Sequence, residues 1–259
     1  MQFTSFFTDA PVLTPFQVAI LDATLVVNPL LSPPGDRPPA DLAYLEYNVL
    51  FPVGRARRSI DPPNRSWSAG RSSPATSPRV SQLRIISPHF PWLLEIEASR
   101  PAHGVTCLDV LEGIHEQLQH LVTRHHVAAL SGAKGDAHRR KLYEVYHYNR
   151  STARDAPGGS LGEGVRRADW LLNNVMFDGL VNDQKYVQEK LGISGPGWKG
   201  LRKGVDEKET PKDKLQSWPA TLVLRLDQRY GDSDRESIVT DVTDVTDATE
   251  STVSQQQDG

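Results

Sequence analysis

Cysteine is almost absent. Cys107 is the only one in 259 residues, so no internal disulfide can form and a secreted, disulfide-stapled scaffold is excluded. Long apolar runs are missing too. The best, FQVAILDATLVV at 16–27, is interrupted by Asp22 and falls short of the roughly 20 residues that a bilayer-spanning helix needs. The opening MQFTSFFTDAPVLTPF has neither the basic n-region nor the continuous apolar stretch of a signal peptide. Sequons at Asn64 and Asn149 mean little without secretion. These absences set the expectation of a soluble intracellular protein, cytoplasmic or nuclear, with no membrane attachment. Apolar residues are also scarce at 38%, while glycine and proline number 19 each, which describes a folded core diluted by loops and tails.

What is present is unevenly spread. Residues 231–259 hold eight acids and one base, Arg235, a net −7 within a chain whose total is −3, so residues 1–230 carry +4. The tail's VTDVTDVTDATEST repeats every three residues, which suits neither a helix face nor a strand face, and it has too little apolar surface for a core. It is expected to be a disordered acidic tail over 229–259. Residues 54–79, rich in Ser and Pro, hold six arginines against the single acid Asp61 and read as a mobile basic loop. Such a loop attracts nucleic acid or an acidic partner through Arg55, Arg57, Arg58, Arg65 and Arg71, although most basic loops are simply solvated.

Between these segments the periodicities build a fold. Residues 1–19 read as a flexible arm. LAYLEYNVLF (42–51), RVSQLRIIS (79–87) and PWLLEIEA (91–98) read as strands, the last two joined by PHFP into an antiparallel pair. In PWLLEIEA, Leu94, Ile96 and Ala98 alternate with Glu95 and Glu97, one face dry and one wet. Helices are expected over 106–122, 124–131 and 138–149. VMFDGLV (175–181) fits either a short strand or a helix end, 182–217 is a polar insertion, and WPATLVLRLDQ (218–228) is a strand. The expectation is one α+β domain over 20–228, in which a small antiparallel β-sheet packs against two or three helices.

The stretch GVTCLDVLEGIHEQLQHLVTRHH (104–126) concentrates reactive residue types. Thr106 with Asp109 three residues on is a helix-capping signal, and Leu111, Ile114 and Leu118 form a stripe at helical spacing. Cys107 falls in the first turn, where a thiol can be activated, but no local base or oxyanion donor accompanies it. His115, His120 and His125 are five apart, which turns successive rings about 140° away from each other on a helix. Zinc pairs need a spacing of three or four, so neither a metal nor another cofactor is expected. GGSLGEG (158–164) lacks the Lys-Ser/Thr of a phosphate loop and reads as a linker.

The remaining candidate site is polar and scattered: Asp109, Tyr146, Arg150, Arg166, Arg167 and Asp169. Adjacent arginines after a glycine turn can clamp a carboxylate or phosphate. They can equally fasten the linker to the body by pairing with Asp109 or Asp169, with Asp169 capping the turn that follows.

Taken in order, NPLL (28–31), PATSPRVSQLRI (74–85), FPWLLEIE (90–97), GVTCLDVLEGIHEQL (104–118), the tyrosine-rich helix ending in Arg150, GVRRADWL (164–171) and MFDGL (176–180) resemble a basidiomycete fungal family of unknown function, numbered 6699. The resemblance spans about 25–182. Its motif positions include Trp92, Thr106, Asp109, Gly164, Arg167, Asp169 and Gly179. It implies no established activity and no catalytic residues, and Cys107 and the extra histidines fall at positions the pattern does not restrict. The leading functional expectation is therefore a non-enzymatic protein-interaction or structural module with a protein partner not named by the sequence. The alternatives are a small-molecule or phosphate-binding protein or enzyme, with a pocket around Arg166, Arg167 and Asp169, and weak nucleic-acid association through the basic loop.

Overall fold

In the computed structural model, residues 11–36, 43–62, 65–153, 156–191 and 218–229 are described. The chain begins with strand β1 (Val12–Leu13), helix α1 (Pro15–Ile20) and strand β2 (Val26–Val27). Four more two-residue strands follow, β3 (Leu45–Glu46), β4 (Arg57–Arg58), β5 (Thr76–Ser77) and β6 (Arg79–Val80), and then the hairpin β7 (Gln82–Ser87) and β8 (Phe90–Glu97). Helices α2 (Cys107–Leu118), α3 (Arg124–Asn149) and α4 (Arg167–Trp170) precede strand β9 (Asn174–Val181), helix α5 (Gln184–Leu191) and strand β10 (Thr221–Gln228).

The core is organised by a four-stranded sheet in the order β8-β7-β10-β9. Alternation in β7 and β8 is what pairs them: Leu83 faces Ile96 and Ile85 faces Leu94 in an antiparallel register. The β9–β10 pair is antiparallel as well. The pairing of β10 with β7, however, is parallel, from Thr221↔Arg84 to Val223↔Ile86, so the sheet is mixed where only antiparallel pairs were expected. The cause lies in burial. The first four residues of β10 are all buried, because this inner strand is covered on both faces, and no short turn constrains its direction relative to β7. On one face Leu222 and Leu224 join the main core, while on the other Val223 packs with Ile86 and with Val187 of α5.

Helix α2 lies on the main-core face. Thr106 and Asp109 make the expected capping box, and Leu111, Ile114 and Leu118 are fully buried with Leu83, Ile85, Leu94 and Ile96. Each such side chain stabilises the fold by about 1.5–3 kcal/mol. The helix sits close on the sheet: a Cβ at Gly113 would stand 2.4 Å from Ile96 Cδ1. The span 124–149, taken together as α3, holds two helices as expected, and they meet at a kink at Gly135, whose φ of 77° no helix accommodates.

Three expectations are corrected. Residues 1–10 lie outside the described residues, but 11–19 do not form a loose arm. β1 pairs in parallel with β6, and α1 is capped by a reciprocal Thr14–Gln17 box while Val18 and Ala19 are buried. The basic segment 54–79, where described, runs through the core instead of standing free: Ala56, Trp67 and Ala75 are wholly buried, and the Trp67 N–H donates to Ala56 O at 2.8 Å. Of the expected strand 42–51, residues 43–51 are described and do not form a strand of the main sheet. Only β3 is regular, and the chain beyond it runs beside β9 through Val49 N to Val175 O (2.9 Å) and Phe177 N to Tyr47 O (2.8 Å). Of the polar insertion 182–217, residues 182–191 are described and include α5. Residues 192–217 and the acidic tail after Arg229 lie outside the described residues.

Candidate functional site

Of the reactive residue types in 104–126, Cys107 and His115 are taken up inside the fold, while His120 and His125 are exposed. Cys107 is buried, its thiol 3.8 Å from Pro74 O, and burial pushes its pKa far above the ordinary thiol range. His115 Nδ1 hydrogen-bonds to Val49 O at 3.1 Å, the carbonyl accepting, which holds the ring within the fold. Among the described residues no group of three or more His, Cys, Asp or Glu side chains is arranged to hold a metal ion. Asp109 does not anchor either arginine. Its Oδ2 accepts from Thr106 N at 2.9 Å and from Thr106 Oγ1 at 2.8 Å, closing the α2 cap.

The polar residues after α3 do converge, on Asp169. Arg150 leaves the last turn of α3 and lays its guanidinium 3.8 Å from the centroid of the Tyr146 ring. Its Nη1 donates to Asp169 Oδ1 at 3.0 Å and its Nη2 to Asp169 Oδ2 at 3.2 Å, the forked geometry that suits arginine to carboxylate. Three carbonyls take its other N–H groups: Nε donates to Gly162 O (2.7 Å), Nη1 to Tyr146 O (3.0 Å) and Nη2 to Gly164 O (2.7 Å). All five guanidinium donors are therefore satisfied. Asp169 is equally full. Besides the fork, Oδ1 accepts from Asn149 Nδ2 at 3.0 Å and Oδ2 from the Arg166 backbone N–H at 2.8 Å. Arg229 completes the outer ring, with Nη2 3.4 Å from Asn149 Oδ1 and its guanidinium 4.9 Å from the Tyr148 ring centroid.

The linker glycines make this closure possible. Gly162 and Gly164 adopt φ of 62° and 83°, conformations costly for other residues, and turn their carbonyls toward Arg150. Arg166 and Arg167, adjacent in sequence, diverge. The Arg166 side chain reaches back to the carbonyls of Leu161 and Gln119, stitching the linker to the end of α2. Arg167 turns the other way, over the Trp92 ring at 5.2 Å. Of the six sequence candidates, Tyr146, Arg150 and Asp169 meet, Arg166 joins through its backbone, and Asp109 and Arg167 stand elsewhere. Asn149 and Arg229 were missed. Asn149 adjoins Arg150 at the end of a helix, a position where a short polar side chain has work to do. Arg229 carried no local signal.

Fold and site together define an α+β domain whose polar centre is an internally satisfied ion-pair network. The chain belongs to the Family of unknown function (DUF6699), whose model matches residues 45–190, more than half of its length. No curated protein and no solved structure matches it.

Proposed function

We propose that this chain is a non-enzymatic, intracellular interaction or structural module, with the Arg150–Asp169 network serving as a fastening inside the fold. The observation that carries the reading is saturation: all five Arg150 donors and both Asp169 oxygens are occupied by the protein itself. A carboxylate or phosphate ligand would have to displace those bonds to bind there. The surface offers support for interaction: α1 buries Val18 and Ala19 yet leaves Phe16 69% and Ile20 57% exposed, with Leu21 beside them at 63%. Nucleic-acid binding through the basic segment is less favoured, because Arg57 pairs with Glu46, Arg58 forks onto Asp61, and Arg55 and Arg71 lie over Phe51 and Trp67.

The deciding experiment is thermal unfolding of the full chain with added inorganic phosphate and malonate. A ligand bound only by the folded state raises Tm with concentration by mass action. We expect no rise beyond that of a chloride control at matched ionic strength. A saturable rise that disappears in Arg166→Ala would overturn the proposal in favour of an anion-binding pocket.

A further inference from the structure

Arg167 differs from its neighbours. Its backbone N–H donates to His120 O at 3.0 Å, but among the described residues its guanidinium has no hydrogen-bond acceptor and no carboxylate. It rests on Trp92, which stacks on Phe90 (6.4 Å between centroids) and meets the edge of Trp170 (5.8 Å). The guanidinium is thus held in place on an apolar wall and partly stripped of water, which lowers its pKa. An arginine seated over an aromatic ring with no acceptor of its own has N–H groups to offer, and a carboxylate can take two of them in a fork.

The described chain ends at the same corner. Gln228 pairs with Asn174, the Arg229 N–H donates to Asn173 O at 2.9 Å, and Arg229 reaches Asn149, which binds Asp169, two residues from Arg167. Asn173 lies six positions along the chain from Arg167, a span of about 21 Å at most. The twelve residues from Arg229 to Asp241 can cover about 40 Å. Beyond Arg229 come Asp232, Asp234 and Glu236, then Asp241, Asp244, Asp247 and Glu250 at three-residue intervals. The arginines of the basic segment are poorer partners for these acids, since Arg57 and Arg58 already have carboxylates of their own.

We propose that Arg167, seated on Trp92, is the docking point for this chain's own acidic segment 232–250, whose carboxylates pair with the guanidinium in cis. The evenly spaced acids present equivalent carboxylates, so the contact exchanges among several registers. Tethering keeps them at an effective concentration on the order of millimolar, enough for a weak, salt-sensitive pairing that covers Trp92. This inference rests on Arg167 and stands apart from the Arg150–Asp169 network, so either can fail alone.

Two measurements on the full chain test it. In Arg167→Lys, a zero-length carbodiimide should couple the new amine to Asp241, Asp244, Asp247 or Glu250. In an equal mixture of light and heavy isotope chains the linked peptides should be of one isotope only. The Trp92 indole resonance of the otherwise unchanged protein should shift when Asp241, Asp244 and Asp247 are replaced by Asn, and about 0.5 M salt should produce the same shift. Coupling together with a salt-reversible Trp92 shift supports docking in cis. Isotopically mixed products would overturn it in favour of pairing between molecules. Absence of both coupling and shift, or coupling only to acids outside the segment, would overturn it altogether.

Discussion

Asp169 is the residue on which two accounts of this protein part company. It is wholly buried and Arg150 is 14% exposed, so the pair lies in a low-dielectric setting where removing one partner strands the other. As a fastening, Asp169→Asn should cost about 3–5 kcal/mol, read as a fall in the urea midpoint. Arg150→Lys should fall between, because one ammonium cannot serve Gly162 O, Gly164 O and both Asp169 oxygens together. A ligand site predicts the reverse, a near-normal midpoint with binding lost. Cys107 gives a second residue-scale outcome. Burial raises its folded pKa, with the nearby Asp109 adding to the effect, and burial raises that of Tyr47 too. Their contribution is therefore complete below the unfolded values, about 8.5 for the thiol and 10 for the phenol, and drains away as pH climbs above them. The urea midpoint should decline steadily above about pH 9, and a thiol reagent at pH 8 should reach Cys107 only on unfolding. A flat midpoint to pH 10.5, or prompt labelling of the native chain, would contradict this.

At the scale of elements, legibility followed locality. β7, β8 and α2 were readable because alternation, a capping pair and a 3–4 stripe are each written within a dozen residues. α1 escaped although Thr14, Pro15 and Gln17 spell its cap, because six residues give almost no periodicity. The parallel β7–β10 pairing was illegible because it depends on what covers each face, a property of distant segments. In the candidate site, Arg150 and Asp169 were visible as residue types, but nothing in the spacing told that Arg166 and Arg167 would point apart. β9 was ambiguous for a related reason. Gly179 breaks its pattern, and the structure shows why glycine stands there: φ is 107°, and a Cβ would lie 2.5 Å from Pro33 N and 2.7 Å from Ser32 C. Both obstacles are backbone and cannot swing aside. Gly179→Ala should destabilise by at least about 2 kcal/mol, whereas Gly159→Ala, with nothing within 4 Å, should shift the midpoint little. Equal effects at the two glycines would show that the Ser32–Pro33 crossing yields.

For the molecule as a whole, the question is how much of its arginine-rich, proline-rich sequence belongs to the fold. Composition argued that 54–79 stood outside, since six arginines and many serines resemble solvent-exposed chain. The apolar minority decides otherwise. Trp67 and Ala56 are buried in the main core, β3–β4 pairs Glu46 with Arg57, and the Leu108 N–H at the start of α2 donates to Arg71 O at 3.0 Å. Arg57 and Arg58 spend their charge on Glu46 and Asp61, and Arg71 covers Trp67. A protease that must draw several residues of extended chain into its cleft therefore has to open the core first, so cleavage there tracks unfolding of the domain. Limited trypsin digestion of the native chain should leave the bonds after Arg57, Arg58 and Arg71 intact, while the urea-unfolded chain is cut at all three. Adding Asp169→Asn should speed native cleavage at these distant arginines in proportion to the lost stability, because one core links the network to the segment. Cleavage after Arg57 or Arg71 in the native chain as fast as in the unfolded one would return the segment to the surface.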